Sequence, residues 1–218
     1  CAGKFVHTGW QPAGGYNINA SVLTVTGDDA IIDWVFLWLK SPSNPATNLQ
    51  SRVALLQKDG DVVDLDGVSP VLFPSDAGNY IVAASHRNHL SVRSPNGPGI
   101  ALNEATVTNY DFTTSMAQAF GTNPMKQVQT TPTPIFALWG GNTSVNNTVR
   151  ATGPATINDY TAILSTLTFP TNIIPTVYSN SDVNMDGTVR ATGPATINDY
   201  SKLLSILGTP TTIITEQQ

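Results

Sequence analysis

The residues most suited to chemistry form a short acidic stretch in the last quarter of the sequence. The pattern D-x-N-x-D-G opens many calcium-binding loops, and it occurs here as Asp182, Asn184, Asp186 and Gly187. Alternate side chains of such a loop point their oxygens inward, and the glycine makes the sharp turn that lets the next carbonyl, that of Thr188, join them. The stretch therefore predicts a calcium site. The alternative is a plain turn whose aspartates cap the following helix.

A helix is predicted after this loop, and the whole unit occurs twice. Pro194 suits a first helical position, and apolar residues follow at three- and four-residue steps. Residues 148–160 are identical to residues 188–200. Each apolar stripe alone is too small to be stable, so we expect the two units to pack as a pair. The facing stripes would be Ile157, Tyr160, Leu164 and Leu167 against Ile197, Tyr200, Leu204 and Leu207.

Composition narrows the classes of function. Of the 218 residues 40% are hydrophobic, so a packed core can form, but only 11% are charged, against roughly 25% in typical soluble domains. Such a composition suits an extracellular β-rich protein, or a surface partly covered by like subunits. The net charge of −5 argues against a nucleic-acid partner, which needs a basic face. No apolar run reaches the ~18 residues of a membrane span.

The sequence before the repeats predicts short strands separated by Gly, Pro and Asn turns. Residues 30–40, AIIDWVFLWLK, are expected to form a strand buried on both faces, or with one face in a contact between subunits. Other predicted elements are strands over residues 20–26, 51–57, 79–92, 106–112 and 135–139 and a short helix over 113–120. The predicted fold is mainly β. It has a β-sandwich with an N-terminal arm over residues 1–139, followed by repeat 1 (140–179) and repeat 2 (180–218).

Two further groups of polar residues precede the repeats. The first is an acidic segment that would either hold a cation or form a solvated hairpin; it contains Asp59, Asp61, Asp64 and Asp66. The second is the pair His86 and His89. On a regular strand a three-residue spacing puts side chains on opposite faces, so the pair is expected to be structural and hydrogen-bonded rather than metal-binding.

The loop, helix and duplication resemble dockerin modules, the tandem calcium-binding units that plug secreted proteins into partners. The wider string IDWVFLWLKS … NYIVAASHRNHLSV … FALWGG … SDVNMDGTVR is similar to a region of secreted Bacteroidota surface proteins. The strand pattern also resembles immunoglobulin-like or transthyretin-like sandwiches. These resemblances imply calcium as cofactor and an extracellular or cell-surface location, and they define no activity.

The sequence departs from the dockerin pattern in both repeats. A dockerin loop closes with an acidic residue near its twelfth position, where this chain has Gly193, so the resemblance makes Asp199 the candidate closing ligand. In repeat 1 the side chains at the corresponding positions are neutral, and Asp159 is the one carboxylate available as a ligand. Because calcium affinity depends on ligand charge, we expect weak binding or none there. The neutral residues are Asn142, Ser144 and Asn146, with Asn147 in place of the glycine.

The function expected from the sequence is structural. Cys1 resembles the lipid-bearing first residue of a mature bacterial lipoprotein, although the numbering could simply start there. No G-x-S-x-G, H-E-x-x-H, C-x-x-C or phosphate-binding glycine loop occurs, so no enzyme is expected. We expect a subunit that self-associates into a filament or coat through residues 1–19 or 209–218. The alternative is a dockerin-like or adhesin module for a protein or glycan, in which Trp10 or Tyr16 would stack on sugars.

Overall fold

The computed structural model describes residues 18–216, and its largest element is a six-stranded antiparallel sheet. The expectations for Cys1, Trp10 and Tyr16 lie outside the described residues. The sheet comprises β1 (Ile31–Lys40), β2 (Asn48–Gln57), β3 (Val62–Val63), β4 (Gly78–Ser85), β5 (Val92–Arg93) and β6 (Ile100–Leu102). Its order is β3-β2-β1-β4-β5, with β6 also paired to β4. The prediction of a mainly β chain is confirmed.

The apolar run predicted as a buried strand is β1, and it lies at the centre of the sheet. On one face Trp34 packs with Val53 of β2, and on the other Val35 and Leu37 pack with Ala54. Both faces are therefore covered by the chain itself. Large side chains of this strand point alternately into two cores. This explains why the run is rich in β-branched and aromatic residues.

Two predicted strands are wrong, because local side-chain hydrogen bonds favour turns over extended backbone. Residues 20–26 were expected to be a strand, but Ala20–Thr24 is a 3-10 helix capped by Asn19, whose Oδ1 accepts from Ser21 N–H. Residues 106–112 were also expected to be a strand. There, Asn103 Oδ1 accepts from the N–H groups of Ala105 and Thr106 and bends the chain. Short polar side chains compete with the ladder in this way.

The remaining elements before the repeats are short. Instead of one helix over residues 113–120, the chain has two 3-10 turns, Phe112–Thr114 and Met116–Gln118. A hairpin of β7 (Lys126–Gln129) and β8 (Ile135–Ala137) follows. Lys126 Nζ donates to the carbonyl oxygens of Ser205 and Ile206, so this hairpin holds the carboxyl end of the last helix, where a positive charge is favourable.

Each repeat contains a loop, a short strand, a helix and a second short strand. Both helices begin later than Pro194 suggested, because Asn158 and Asn198 cap them through hydrogen bonds to the N–H groups of Thr161 and Ser201. Repeat 1 holds β9 (Thr148–Arg150), α1 (Asp159–Leu167) and β10 (Ile173–Pro175). Repeat 2 holds β11 (Thr188–Arg190), α2 (Asp199–Leu207) and β12 (Ile213–Thr215).

The strands of the two repeats pair reciprocally. β10 of repeat 1 pairs with β11 of repeat 2, and β12 of repeat 2 pairs with β9 of repeat 1. In both pairs an isoleucine stands opposite a fully buried valine: Ile174 opposite Val189, and Ile214 opposite Val149. β12, which belongs to the tail expected to assemble, therefore pairs inside its own chain along the edge that faces β9.

The helices share one core, in a different register from the one predicted. Tyr160 and Tyr200 stack with ring centroids 3.9 Å apart, so the two stripes do meet. The apolar helical side chains with the least exposure are nevertheless Ile163 and Leu203, which the predicted stripes omitted. Leu164 and Leu204 are half-buried, and Ile197 is exposed in the 3-10 turn before α2. Leu167 and Leu207 are buried as predicted, so each stripe differs at its middle position, where residue 163 replaces 164 and residue 203 replaces 204.

Leu203→Ala should lower the free energy of unfolding by about 2–5 kcal/mol, because it empties a fully buried position shared by both repeats. Ile213→Ala is the matched control. Its side chain is 48% exposed, so the change should be at most about 0.5 kcal/mol. Urea unfolding of the three proteins measures both values, and equal midpoints for Leu203→Ala and the wild type would contradict this packing.

Candidate metal centre

Loop 2 (residues 182–188) is folded around the side chain of Asp182. Its Oδ1 accepts the N–H of Asp186 (3.1 Å) and its Oδ2 the N–H of Gly187 (2.9 Å). Gly187 has φ +81°, in the left-handed region where a side chain would be strained. Met185 also has positive φ, at 59°. The loop therefore makes the tight turn that its sequence predicted.

The other two side chains predicted as ligands lie in the same loop. Asn184 Oδ1 accepts from the N–H of Asp186, and its Nδ2 lies 3.1 Å from Asp186 Oδ2. Asp186 Oδ1 in turn accepts the N–H of Thr188 (2.8 Å). The structure thus brings the oxygens of Asp182, Asn184 and Asp186 together, with Thr188 directly beside them.

Asp199, the candidate closing ligand, reaches loop 2 from the first residue of α2. Its Oδ1 accepts the N–H groups of Val183 (2.7 Å) and Asn184 (3.2 Å), and its Oδ2 accepts that of Arg190 (2.8 Å). The side chain is fully buried. Burial raises the pKa of Asp199 to about 6, and the charge of Asp182 also raises it. Asp199 therefore organises the loop backbone as well as adding charge beside it.

Repeat 1 provides an internal comparison at the same positions. Asp159 makes the equivalent contacts, accepting the N–H groups of Ser144 and Arg150. Its loop then closes with side-chain donors: Asn142 Nδ2 donates to the carbonyl of Asn146, and Ser144 Oγ donates to Asp159 Oδ1. Loop 1 (residues 142–148) is thus closed in part by hydrogen bonds that neutral side chains donate. Loop 2 places carboxylates at two of the corresponding positions.

The donor set of loop 2 fits a hard cation such as calcium, which takes six to eight oxygens. Burial also raises the pKa of Asp182, and the nearby charge of Asp186 contributes to the increase. Among residues 18–216 no group of three or more His, Cys, Asp and Glu side chains is gathered around one point. A calcium ion would therefore need Asn184, the carbonyl at residue 188 and water in addition to the carboxylates.

A buried polar cluster joins loop 2 to the large sheet, and the sequence patterns did not predict it. Arg87 donates from Nε to Asp33 (3.1 Å) and from Nη1 to the carbonyl of Ser179 (2.8 Å), and its Nη2 lies 3.8 Å from Asp182 Oδ2. Tyr178 donates to Asp33 Oδ1 (2.6 Å), and its ring lies under the Arg87 guanidinium. The signal available in the sequence was a lone aspartate within the apolar β1 run.

Asp33 is charged in this cluster despite its burial. Burial alone would raise its pKa, but His86, Arg87 and the Tyr178 hydroxyl stabilise the carboxylate and hold the pKa at about 2. Because this pKa is below its ordinary value, the ionised form of Asp33 stabilises the folded chain relative to the protonated form. Removing one partner would leave an uncompensated buried charge.

The two histidines lie together, contrary to the expectation that a strand would separate them. β4 ends at Ser85, and the chain turns so that His89 N–H donates to the His86 carbonyl. Their Nδ1 atoms are 2.8 Å apart, within hydrogen-bonding distance of each other. Burial lowers the pKa of His89 to about 3, and the positive charge of Arg87 lowers it further.

The acidic segment before β4 has the contacts of a hairpin. Asp59 Oδ1 accepts the N–H of Asp61, and Asp66 caps a turn by accepting from Val68 and Ser69. Asp64 pairs with Arg52 at 2.9 Å. These contacts favour the solvated hairpin over a cation site.

No protein-family description, curated protein or solved structure matches the chain. Among the described residues, no helix has the length and apolar character needed to cross a membrane.

Calcium titration tests loop 2 against loop 1. Isothermal calorimetry should detect one calcium ion per chain, and Asp186→Ala should weaken its binding by at least about tenfold, because it removes a charged ligand. Asn146→Ala changes the equivalent residue of loop 1 and should leave the affinity unchanged. An identical calcium response in wild type and Asp186→Ala would place the ion elsewhere.

Asp33→Asn should cost about 2 kcal/mol of unfolding free energy at pH 7, from a pKa that falls from 3.8 to about 2 on folding. Since the folded pKa is the lower one, this stabilisation is present above pH 4 and is lost as the pH falls toward 2. Thermal unfolding from pH 2 to pH 7 measures the difference. Asp28→Asn, at an exposed residue, is the control; a wild-type advantage as large at pH 2 as at pH 7 would contradict this origin.

Proposed function

We propose that the chain is a non-enzymatic, calcium-stabilised extracellular structural subunit that self-associates into a surface filament or coat. In this proposal the sheet-forming part is a sandwich-like body, and the repeats are a dockerin-like pair whose second loop holds calcium. The observation that carries self-association is an open strand edge on the large sheet. The low content of charged residues and the strand pairing between the two repeats are compatible with a structural subunit.

The open edge belongs to the first half of β2. β3 pairs only with Leu55 and Leu56, so residues 48–54 have β1 on one side and no strand of the described chain on the other. Leu49 is 45% exposed there. The edge contains no proline or lysine, and its one charge, Arg52, pairs with Asp64. Native proteins usually protect an edge of this kind with charge or proline, so a bare edge indicates a place for another strand.

A strand from a second copy of the chain is the partner we assign to this edge. Among the strands of the described chain β12 pairs with β9, and its Ile213 residue is half exposed. β10 leads instead into the Tyr178–Ser179 segment, which is held by Asp33 and Arg87. Pairing β12 of one chain with β2 of the next joins two different surfaces, and contacts of that kind build open filaments rather than closed dimers.

The edge is tested with added charge. The wild type should form large particles by light scattering and filaments by electron microscopy, while Leu49→Lys with Ser51→Lys should remain monomeric. Lysine repels a neighbouring strand through its charge and the loss of apolar contact. Val68→Lys, at a side chain 79% exposed on another segment, should assemble like wild type. A wild type that stays monomeric at every concentration would contradict the proposal.

The donor strand is tested with the internal duplicate as control. Ile213→Lys should prevent assembly, whereas Ile173→Lys, at the equivalent residue of repeat 1 and similarly exposed, should not. If both variants assemble like wild type, β12 is not the donor.

A binding module remains the second candidate, because the repeat pair exposes apolar side chains at equivalent positions. Val145 and Met185 are both exposed at the fourth position of their loops, and Phe169 is exposed after α1. Paired exposed residues of this kind would suit a partner protein that docks on either repeat. A monomeric protein whose purified partner no longer binds the Val145→Lys, Met185→Lys double variant would favour this function over assembly.

A further inference from the structure

The turn after β4 places two imidazole nitrogens unusually close together. Nδ1 of His86 is 2.8 Å from Nδ1 of His89. Two bare lone pairs at that distance repel, so the nitrogens share either a proton or a metal ion. This histidine pair is separate from loop 2, whose candidate ligands are oxygens.

The far side of His86 has the partner that metal-bound histidines usually have. Its Nε2 lies 3.0 Å from Asp33 Oδ2, and Asp33 is held in place by Arg87 and Tyr178. This contact lacks the geometry of a hydrogen bond, but the negative charge of the carboxylate still favours a proton on Nε2 and leaves the other ring nitrogen as the ligand. For His86 the nitrogen so prepared is Nδ1, which faces His89.

An ion can reach the two rings from a cleft between the sheet and repeat 1. The cleft has a volume of about 170 Å³ and is lined by both histidines. Its other polar groups would allow oxygen atoms or water to complete a coordination shell; they include Ser85, Ser91, Asn142 and Glu216.

We propose that His86 and His89 bind one Cu²⁺ ion through their Nδ1 atoms. A metal about 2.0–2.1 Å from each nitrogen would subtend an angle of about 85° between them. Tetrahedral Zn²⁺ prefers an angle near 109°, which requires nitrogens about 3.3 Å apart. Adjacent positions of a square-planar or tetragonal ion match the observed spacing. Among such ions Cu²⁺ has the highest affinity for nitrogen ligands.

Electron paramagnetic resonance of the full chain with one equivalent of CuCl₂ tests the site. The chain has three histidines, and His7 lies outside the described residues. The background is therefore Cys1→Ser with His7→Gln, saturated with calcium so that loop 2 does not take copper. The expected spectrum is tetragonal and split by two nitrogen nuclei. A spectrum without nitrogen splitting would overturn the proposal and leave a shared proton between the rings.

Variants assign the ligands. His86→Gln and His89→Gln should each weaken copper binding by at least tenfold in calorimetry and remove one nitrogen from the spectrum. Asp33→Asn should weaken it by about 10–100-fold while both nitrogens remain, since Asp33 positions a ligand without being one. Circular dichroism of the same samples checks that each variant is folded. If a variant unfolds, the electron paramagnetic resonance spectrum of the background protein alone tests the site. Unchanged affinity in His89→Gln, or Zn²⁺ competing equally with Cu²⁺, would overturn the site.

Discussion

Reciprocal strand pairing between the two repeats holds the C-terminal half of the molecule together. β9 and β11 have identical sequences, yet neither pairs with the tail of its own repeat; each finds its partner in the other. The two valines at their centres are fully buried in the core that both helices share. Neither repeat can therefore keep its sheet or its core without the other. Such interdependence joins two marginal units into one cooperative unit.

The segment from His86 to Ser91 extends this interdependence to the large sheet. Asn88 Nδ2 donates to the carbonyl of Asp182, and Leu90 N–H donates to that of Trp139. Ser91 N–H donates to Glu216 after β12. One short connection thus contacts loop 2, the entry to repeat 1 and the end of repeat 2. Ordering of loop 2 by a cation would act on the same contacts that hold the repeats on the sheet.

Local signals predicted the local features well. The D-x-N-x-D-G turn, the duplication and the buried β1 strand all follow from spacing and apolar pattern. The pairing of each tail with the other repeat could not be predicted. β9 and β11 have the same sequence and can pair with either tail, so the choice depends on the three-dimensional path of the chain. The cluster around Asp33 and Arg87 was missed for a similar reason. Its members are distant in sequence, and the two histidines meet only because β4 ends at Ser85, before the predicted strand does.

If the repeats form one cooperative unit, calcium at loop 2 should stabilise both of them. Hydrogen–deuterium exchange at the amides of Val149 and Val189, with and without calcium, is the sharpest test of this coupling. Although loop 1 has neutral side chains at its ligand positions, β9 is held by β12, which follows α2 of repeat 2. We therefore predict that calcium slows exchange at both amides by similar factors. Slowing at Val189 alone, or at neither amide, would contradict the coupling.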